Sequence, residues 1–338
     1  GTEAAPKGVL STHRNYLFSH LAYTINLGLT PQDVWLVSLP LIHMAGFNLM
    51  LMAHVFGQTV VMTQLPVPAQ MLRLMAEYRV TVTALPPTLY VALLKEAPAE
   101  LVMPEARILM TWASTIPQAM VDGWNRIAPN ARFFTLQGSS ESTATALTGS
   151  FFKSWADVPN GDGRWVGKAM AFGSELRLVD DEGREVAPGE PGEQVIRGPV
   201  VMKGYYKNEE ETGRVFRDGW FHTGDVLFCD GSGNYYFADR KKDMIKTGGE
   251  NVFSQEVENV ISAHPGVLQC AVFGIPDPRW GEAVTAAVVP RPGVPLTEQE
   301  VIGFCRGRLP GYKVPKYVII TDTPPTTAAG KLLKRALR

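Results

Sequence analysis

Six short segments carry side chains able to do chemistry. Thr2 to Gly8 sets a hydroxyl and the Lys7 ammonium in a loop that leads into a helix, a composition able to hold phosphate oxygens. It is not the GxxxxGK[ST] loop, because Pro6 precedes Lys7 and Gly8 follows it. Leu39 to Gly46 puts His43 in an apolar run after a strand. Gln137-Gly138-Ser139-Ser140-Glu141 follows an apolar strand, so its hydroxyls and carboxylate fall at a strand's C-terminal end, where open α/β sheets bind ligands. His222-Thr223-Gly224-Asp225 offers a carboxylate on a glycine turn. Asp239 to Asn251 is a dense charged run that includes the pair Gly248-Gly249. Pro325 to Lys331 ends in a lone Lys after Gly330. Taken singly, each has an ordinary reading: a surface turn, a structural His, a helix-capping Glu, a solvated charged face. Their joint occurrence is what needs explaining.

The elements that must position them follow from patterning. From about residue 10 to 150, helix-period segments (Asn15 to Leu27, Ala69 to Tyr78, Pro87 to Lys95) alternate with short apolar runs. Those runs are Val34 to Leu39, Val80 to Leu85, Arg107 to Met110 and Arg132 to Leu136. Such alternation predicts a mostly parallel sheet covered on both faces. From 165 to 240 glycine is frequent, and turn sequences at Asp180-Asp181-Glu182-Gly183 and Asp230-Gly231-Ser232-Gly233-Asn234 predict antiparallel hairpins. Beyond 243 lies an α+β piece. Ser254 is expected to cap a helix through Ala263, and Thr297 to Glu300 reads as a capping box.

Composition excludes several classes. With 45% hydrophobic and 19% charged residues, disorder is not the main state. A net charge of -1 lacks the basic stripe that nucleic acid requires. The three scattered cysteines form neither a disulfide framework nor a CxxC pair and suit a reducing cytoplasm. No apolar run is long enough to span a bilayer. The chain begins at Gly1 inside a loop-like sequence, so an upstream part of the natural protein is expected.

In this order, the segments resemble the adenylate-forming superfamily of acyl-CoA synthetases, adenylation domains and firefly-type luciferases. The Gly-Gly-Glu-Asn and terminal Gly-Lys wording is most similar to acid–CoA ligases, and the resemblance covers essentially the whole chain. It implies that 1–241 is the later part of a large AMP-binding domain (1–164 α/β, 165–241 β-rich), and that 242–338 is a small mobile α+β domain. It further implies an upstream region of about one domain, roughly 100–200 residues. The reaction implied has two steps. A carboxylate attacks the α-phosphate of ATP to give an acyl-adenylate and pyrophosphate; the CoA thiol then displaces AMP. ATP, CoA, a small carboxylic acid and Mg²⁺ are the implied partners, and a homodimer stays open. An acyl-AMP ligase loading a carrier protein, a luciferase-like oxygenase and a non-catalytic nucleotide- or acyl-binding paralogue remain as alternatives.

Carried over by position, Thr2 and Lys7 contact the β/γ-phosphates, while Ala113, Gln137 and Gly138 border the nucleotide. Ser140 bonds the α-phosphate and Glu141 holds Mg²⁺, a hard ion that wants oxygen ligands. Asp225 accepts from the ribose hydroxyls, with Arg240 on ribose or phosphate. Lys331 bridges the acyl carboxylate and the α-phosphate. His43 gates the thiol's approach and, with Ala45, Leu49 and Trp112, borders the acyl pocket. Lys246, Gly248 and Gly249 line the CoA tunnel, Asn251 matches a further functional position, and Lys242 is the hinge. Three departures stand out. Glu3 and Ala4 replace the usual Thr and Gly of the phosphate loop, Gln137 replaces an adenine-stacking aromatic, and Trp112 replaces a Gly. The Trp112 ring implies a shortened pocket suited to a short, branched or cyclic acid, with no cation placed for a second carboxylate.

Overall fold

The computed structural model describes residues 7–112, 114–145, 147–170, 172, 174–322, 334 and 337. Its chain divides into two compact units. The larger comprises 8–223 and 227–237; the smaller comprises 1–7, 224–226 and 238–338.

The larger unit is built on five parallel strands in the order Thr59–Met62, Val34–Val37, Val82–Ala84, Ile108–Thr111, Arg132–Gln137. These strands are apolar at nearly every position because both faces are covered. Successive side chains go to opposite sides. Leu36, Leu109 and Phe133 join one buried cluster, with Tyr90 and Trp124 of the helices Pro87–Glu96 and Gln118–Ile127. Trp35, Val37, Ile108, Met110 and Phe134 join the other, with Tyr23 and Met52. The helices His13–Leu27 and Met44–Val55 supply the latter two residues. The glycine-rich region then continues the sheet with antiparallel strands. Arg132–Gln137 pairs with Thr148–Phe152, which pairs with Trp165–Ala169. The path runs on through Asn234–Arg240, Trp220–Cys229, Gly192–Arg197 and Glu175–Val179.

Three observed helices are not read from the sequence: Met44–Val55, Gln118–Ile127 and Glu209–Val215. The chain turns after Val37 and forms the helix Met44–Val55, where only an apolar stretch is read from the sequence. Met, Leu, Phe and Ala occupy all sides of this helix, so no 3.6-residue alternation marks it. Gly46 allows its close approach to the preceding turn, since a Cβ there would lie 2.6 Å from the Pro40 carbonyl oxygen.

The smaller unit holds the strands Glu250–Val252, Ile245–Thr247, Gly281–Pro290 and Val267–Asp277 in that order, with Tyr317–Ile320 parallel to Gly281–Pro290. Helices Ser254–Ser262 and Glu298–Arg306 bury Val257, Ile261, Val301, Ile302 and Cys305 in its core. The Thr297/Glu300 capping box forms as expected. Ser254 does not cap its helix: it is the first helical residue, and Phe253 is the N-cap. The capping acceptor is instead the buried Asp239 carboxylate, which accepts from the Ser254 N–H and hydroxyl and from the Gln255 N–H at 3.4 Å. A carboxylate there answers both the orphan N–H groups and the positive end of the helix dipole.

A buried carboxylate also pins the entrance to the parallel sheet. Asp33 accepts two guanidinium hydrogen bonds from Arg107, plus bonds from the Thr30 N–H (2.7 Å) and the Thr81 hydroxyl (2.8 Å). Burial alone would raise its pKa, but these donors outweigh burial and hold it below the usual carboxylate value. The stabilisation is therefore present at neutral pH and is lost as pH falls through the acid range. Asp33→Asn should cost about 2 kcal/mol at pH 7, less than for a fully buried pair because Arg107 is partly exposed. Its urea stability should also fall less steeply than wild type as pH drops from about 5 to below the usual carboxylate value. An identical slope would mean that Asp33 does not contribute to the acid sensitivity.

Candidate functional site

The strand Arg132–Gln137 delivers its loop to the carboxyl end of the parallel sheet. Ser140–Ser142 makes one 3₁₀ turn, after which Thr143 and Ala144 both take left-handed backbone angles (φ 56° and 51°). Two consecutive non-glycine residues in this region are costly and need outside support. The Tyr23 hydroxyl donates to the Ala144 carbonyl at 2.7 Å, and the buried Thr143 hydroxyl donates to the Val200 carbonyl at 2.9 Å. The loop is thereby braced by a helix and by a distant strand connection. Ser140 is exposed and Glu141 half-buried. The Glu141 carbonyl accepts from the Met202 N–H (2.7 Å), and its carboxylate Oε1 accepts from the Tyr205 hydroxyl (2.9 Å). Near these strand ends, the buried hydroxyls of Thr111, Thr145 and Thr148 have no hydrogen-bond partner among the described residues.

Gln137 is buried and faces another amide. Its Nε2 donates to Gln194 Oε1 at 2.9 Å, and Gln194 Nε2 donates back at 3.0 Å. This closed pair engages both ends of the Gln137 amide. Gly138 is exposed beside it.

Leu49 is buried in the cluster against which Trp112 packs, and Ala45 is half-buried on the same helix as Leu49. His43 is exposed rather than set in apolar surroundings; its Nδ1 accepts from the Ala45 N–H at 3.1 Å and so caps the helix.

In the smaller unit, Asp225 and Arg240 come together, Nε to Oδ1 at 3.6 Å. The Lys241 N–H donates to the Gly224 carbonyl at 2.8 Å and holds the two segments side by side. Lys242 and Lys246 are exposed. Gly248 and Gly249, with φ of 60° and 86°, form the two-residue hairpin between Ile245–Thr247 and Glu250–Val252. Such a turn asks for two left-handed residues, so a local reason for both glycines exists beside any tunnel. At Gly248 a Cβ would stand 3.1 Å from the Trp280 ring. That ring lies beneath the Arg279 guanidinium (4.6 Å) and near the Lys316 ammonium (5.4 Å). Asn251 is exposed on the outgoing strand. Thr2, Ala113 and Lys331 lie outside the described residues.

The sequence reading omits Tyr205, Gln194 and Trp280. Trp280 could be suspected from an aromatic flanked by charge in Pro278-Arg279-Trp280-Gly281. Tyr205 and Gln194 carry no local signal, because each matters only through a partner 57 or more positions away.

A magnesium ion fits these residues when it comes with phosphate. No group of three or more His, Cys, Asp or Glu among the described residues could hold a metal alone. Glu141 offers a hard oxygen at the ligand end of the sheet, and Mg²⁺ is commonly held by one or two carboxylates plus substrate phosphates.

Residues 1–206 match the family described as AMP-binding enzyme, and residues 256–331 match the AMP-binding enzyme C-terminal domain. A feruloyl-CoA synthase from an Amycolatopsis species is 37% identical over 344 residues, covering 100% of this chain and 68% of that protein. Among solved structures, o-succinylbenzoate CoA synthetase from Bacillus subtilis with its acyl-adenylate superposes with a TM-score of 0.90. It is 30% identical, over 100% of this chain and 67% of that one. The same enzyme with ATP and magnesium ion gives a TM-score of 0.89 at 30% identity, over 100% and 68%.

The amide pair can be tested directly. Gln137→Leu should cost about 1–3 kcal/mol, because the Gln194 amide is left buried without its partner. Gln194→Leu should cost a similar amount, and the double variant less than the sum, read from urea unfolding. ATP affinity should be restored in the double variant. Affinity that falls with position 137 alone, whatever stands at 194, would mean that the amide serves adenine.

Proposed function

The chain belongs to the AMP-binding enzyme family, and on that premise we propose that it is an AMP-forming acid–CoA ligase. It activates a carboxylic acid as the acyl-adenylate and passes the acyl group to CoA. The observation that carries this reading is similarity to acid–CoA ligases over the whole chain, together with the presence of Ser140, Glu141, Asp225, Arg240 and Lys331 at the positions the resemblance assigns.

A free carboxylate is a poor acyl donor because oxide would have to leave. Its attack on the α-phosphate of ATP expels pyrophosphate and leaves AMP as a good leaving group. Thr2 and Lys7 serve the β/γ-phosphates and Ser140 the α-phosphate, with Glu141 holding Mg²⁺. The ion, when bound, neutralises phosphate charge during the displacement. The proximity of Asp225 and Arg240 supports a ribose grip: the carboxylate accepts from the two hydroxyls and the guanidinium limits its charge. Lys331 is the cation that offsets charge building between the acid and the α-phosphate. In the second step the CoA thiol attacks the acyl carbonyl and releases AMP. The Gly248-Gly249 turn, with Trp280 and two cations beside it, supports a path for a phosphorylated thiol cofactor. Lys246 borders that path, Lys242 is the pivot of the smaller unit, and His43 stands at the acyl end.

The partly buried Trp112 ring, packed with the cluster that includes Leu49, favours a compact acid, cyclic or branched, over a long straight chain.

The test is a panel of aryl, cyclic and short branched acids with ATP, Mg²⁺ and CoA, followed by pyrophosphate release and thioester formation. Acid-dependent pyrophosphate, matched by AMP and thioester, is expected; no pyrophosphate with any acid would sink the reading. Lys331→Ala should lower adenylation about 10²–10³-fold, the loss usual for one preorganised charge-stabilising group. Thioester formation from synthetic acyl-adenylate should stay within a few-fold of wild type. Equal loss of both steps would refute the role of Lys331. Lys242→Pro should slow thioester formation selectively, and an unchanged second step would count against a pivot there.

A further inference from the structure

Four backbone contacts tie together parts of the larger unit that are remote in sequence. The segment just after the Thr2–Gly8 loop runs antiparallel to Lys203–Tyr206. The Lys203 N–H donates to the Leu10 carbonyl (2.8 Å), the Leu10 N–H to the Gly204 carbonyl (2.9 Å), and the Tyr206 N–H to the Gly8 carbonyl (2.7 Å). One residue before this ladder, the Met202 N–H donates to the Glu141 carbonyl (2.7 Å). The strap 202–206 thus holds both the exit of the phosphate loop and the backbone of the loop that carries Glu141.

Tyr205, in the middle of the strap, adds a side-chain contact. Its ring is buried with Leu147, Ile196, Val200, Met202 and Phe221, and its hydroxyl donates to Glu141 Oε1 at 2.9 Å. The Tyr205 N–H donates to the Thr212 hydroxyl (2.9 Å), which donates onward to the Asn208 carbonyl (2.8 Å). The phenol is therefore fixed from behind, while among the described residues only one carboxylate oxygen of Glu141 is engaged. An otherwise free glutamate has several rotamers to lose on binding a cation; one oxygen held by a rigid donor removes most of that freedom in advance.

We infer that Tyr205 is a positioning residue for the metal: its hydroxyl holds the Glu141 carboxylate so that the second oxygen is presented to Mg²⁺ on the phosphates of ATP. The inference rests on Glu141 being the metal's protein ligand, and the test separates the two. Tyr205→Phe keeps every ring contact and removes one oxygen. ATP affinity is measured by calorimetry without acid substrate, so no turnover occurs, once with Mg²⁺ and once with EDTA. The ratio of the two affinities is the gain conferred by the metal.

In Tyr205→Phe this gain should fall about tenfold, within the range for loss of a partner that orients a metal ligand. Affinity in EDTA should be unchanged, with thermal stability close to wild type. Glu141→Gln should abolish the gain, and the double variant should be no worse than Glu141→Gln alone. A Tyr205→Phe protein with the wild-type gain would overturn the inference, whatever its melting temperature. Equal loss of affinity with and without Mg²⁺ would overturn it too, since that is the mark of a merely distorted phosphate loop. If Glu141→Gln keeps the gain, the metal-ligand reading itself fails and takes the inference with it.

Discussion

On the proposed reading the Glu141 carboxylate meets a metal on a triphosphate, so it has to be held still without being neutralised, and the larger unit offers it a neutral donor. The Glu141 carboxylate accepts from the Tyr205 phenol and its carbonyl from the Met202 N–H, and among the described residues no salt bridge to it is seen. A lysine or arginine there would compete with the ion for the same oxygens. Around this grip the loop adopts two left-handed non-glycine residues, a strain sustained only because Tyr23 and Thr143 anchor it. The stiff, doubly covered parallel sheet beneath gives those anchors their fixed origin.

The smaller unit also buries charge, in a network of polar and ionic contacts. Asp239 caps the helix Ser254–Ser262; the Ser254 hydroxyl accepts from the Lys334 ammonium, and Lys334 reaches Glu258 at 2.8 Å. The Glu258 carboxylate also accepts from the Val272 N–H (2.8 Å). Burial pushes the Glu258 carboxyl above its usual value, and the ammonium opposes that push. Such a network adds little net stability over apolar packing, but leaving any member unpaired is expensive. It ties Arg240's neighbour, the first turn of a helix and the end of the chain into one body. Arg240, paired with Asp225, and Lys334 are thereby referred to the same core.

Most of the architecture was legible because it rests on local periodicity. Apolar runs of four to six residues alternating with helical stripes imply a covered parallel sheet, and glycine-rich turns imply hairpins; both are present. The misses named here have two causes, an unreadable local pattern and partners that only the fold brings together. The helix Met44–Val55 is apolar all round and so has no stripe to read. Ser254 has the right chemistry for a cap, yet a carboxylate fifteen residues earlier takes the role because the fold brings it closer. Gln137 looks like a group available to adenine until Gln194 is seen to occupy its amide.

By itself the sequence determined the order of chemically able loops, the alternation that builds the sheet and the family to which the chain belongs. These depend on residue type and near-neighbour spacing, which survive without knowledge of the fold. Only the tertiary structure decided which donor holds Glu141, which acid caps the helix at Ser254 and which amide Gln137 satisfies. Buried polar groups must find partners wherever the packed chain provides them, and that choice is made across separations over which sequence spacing carries no information.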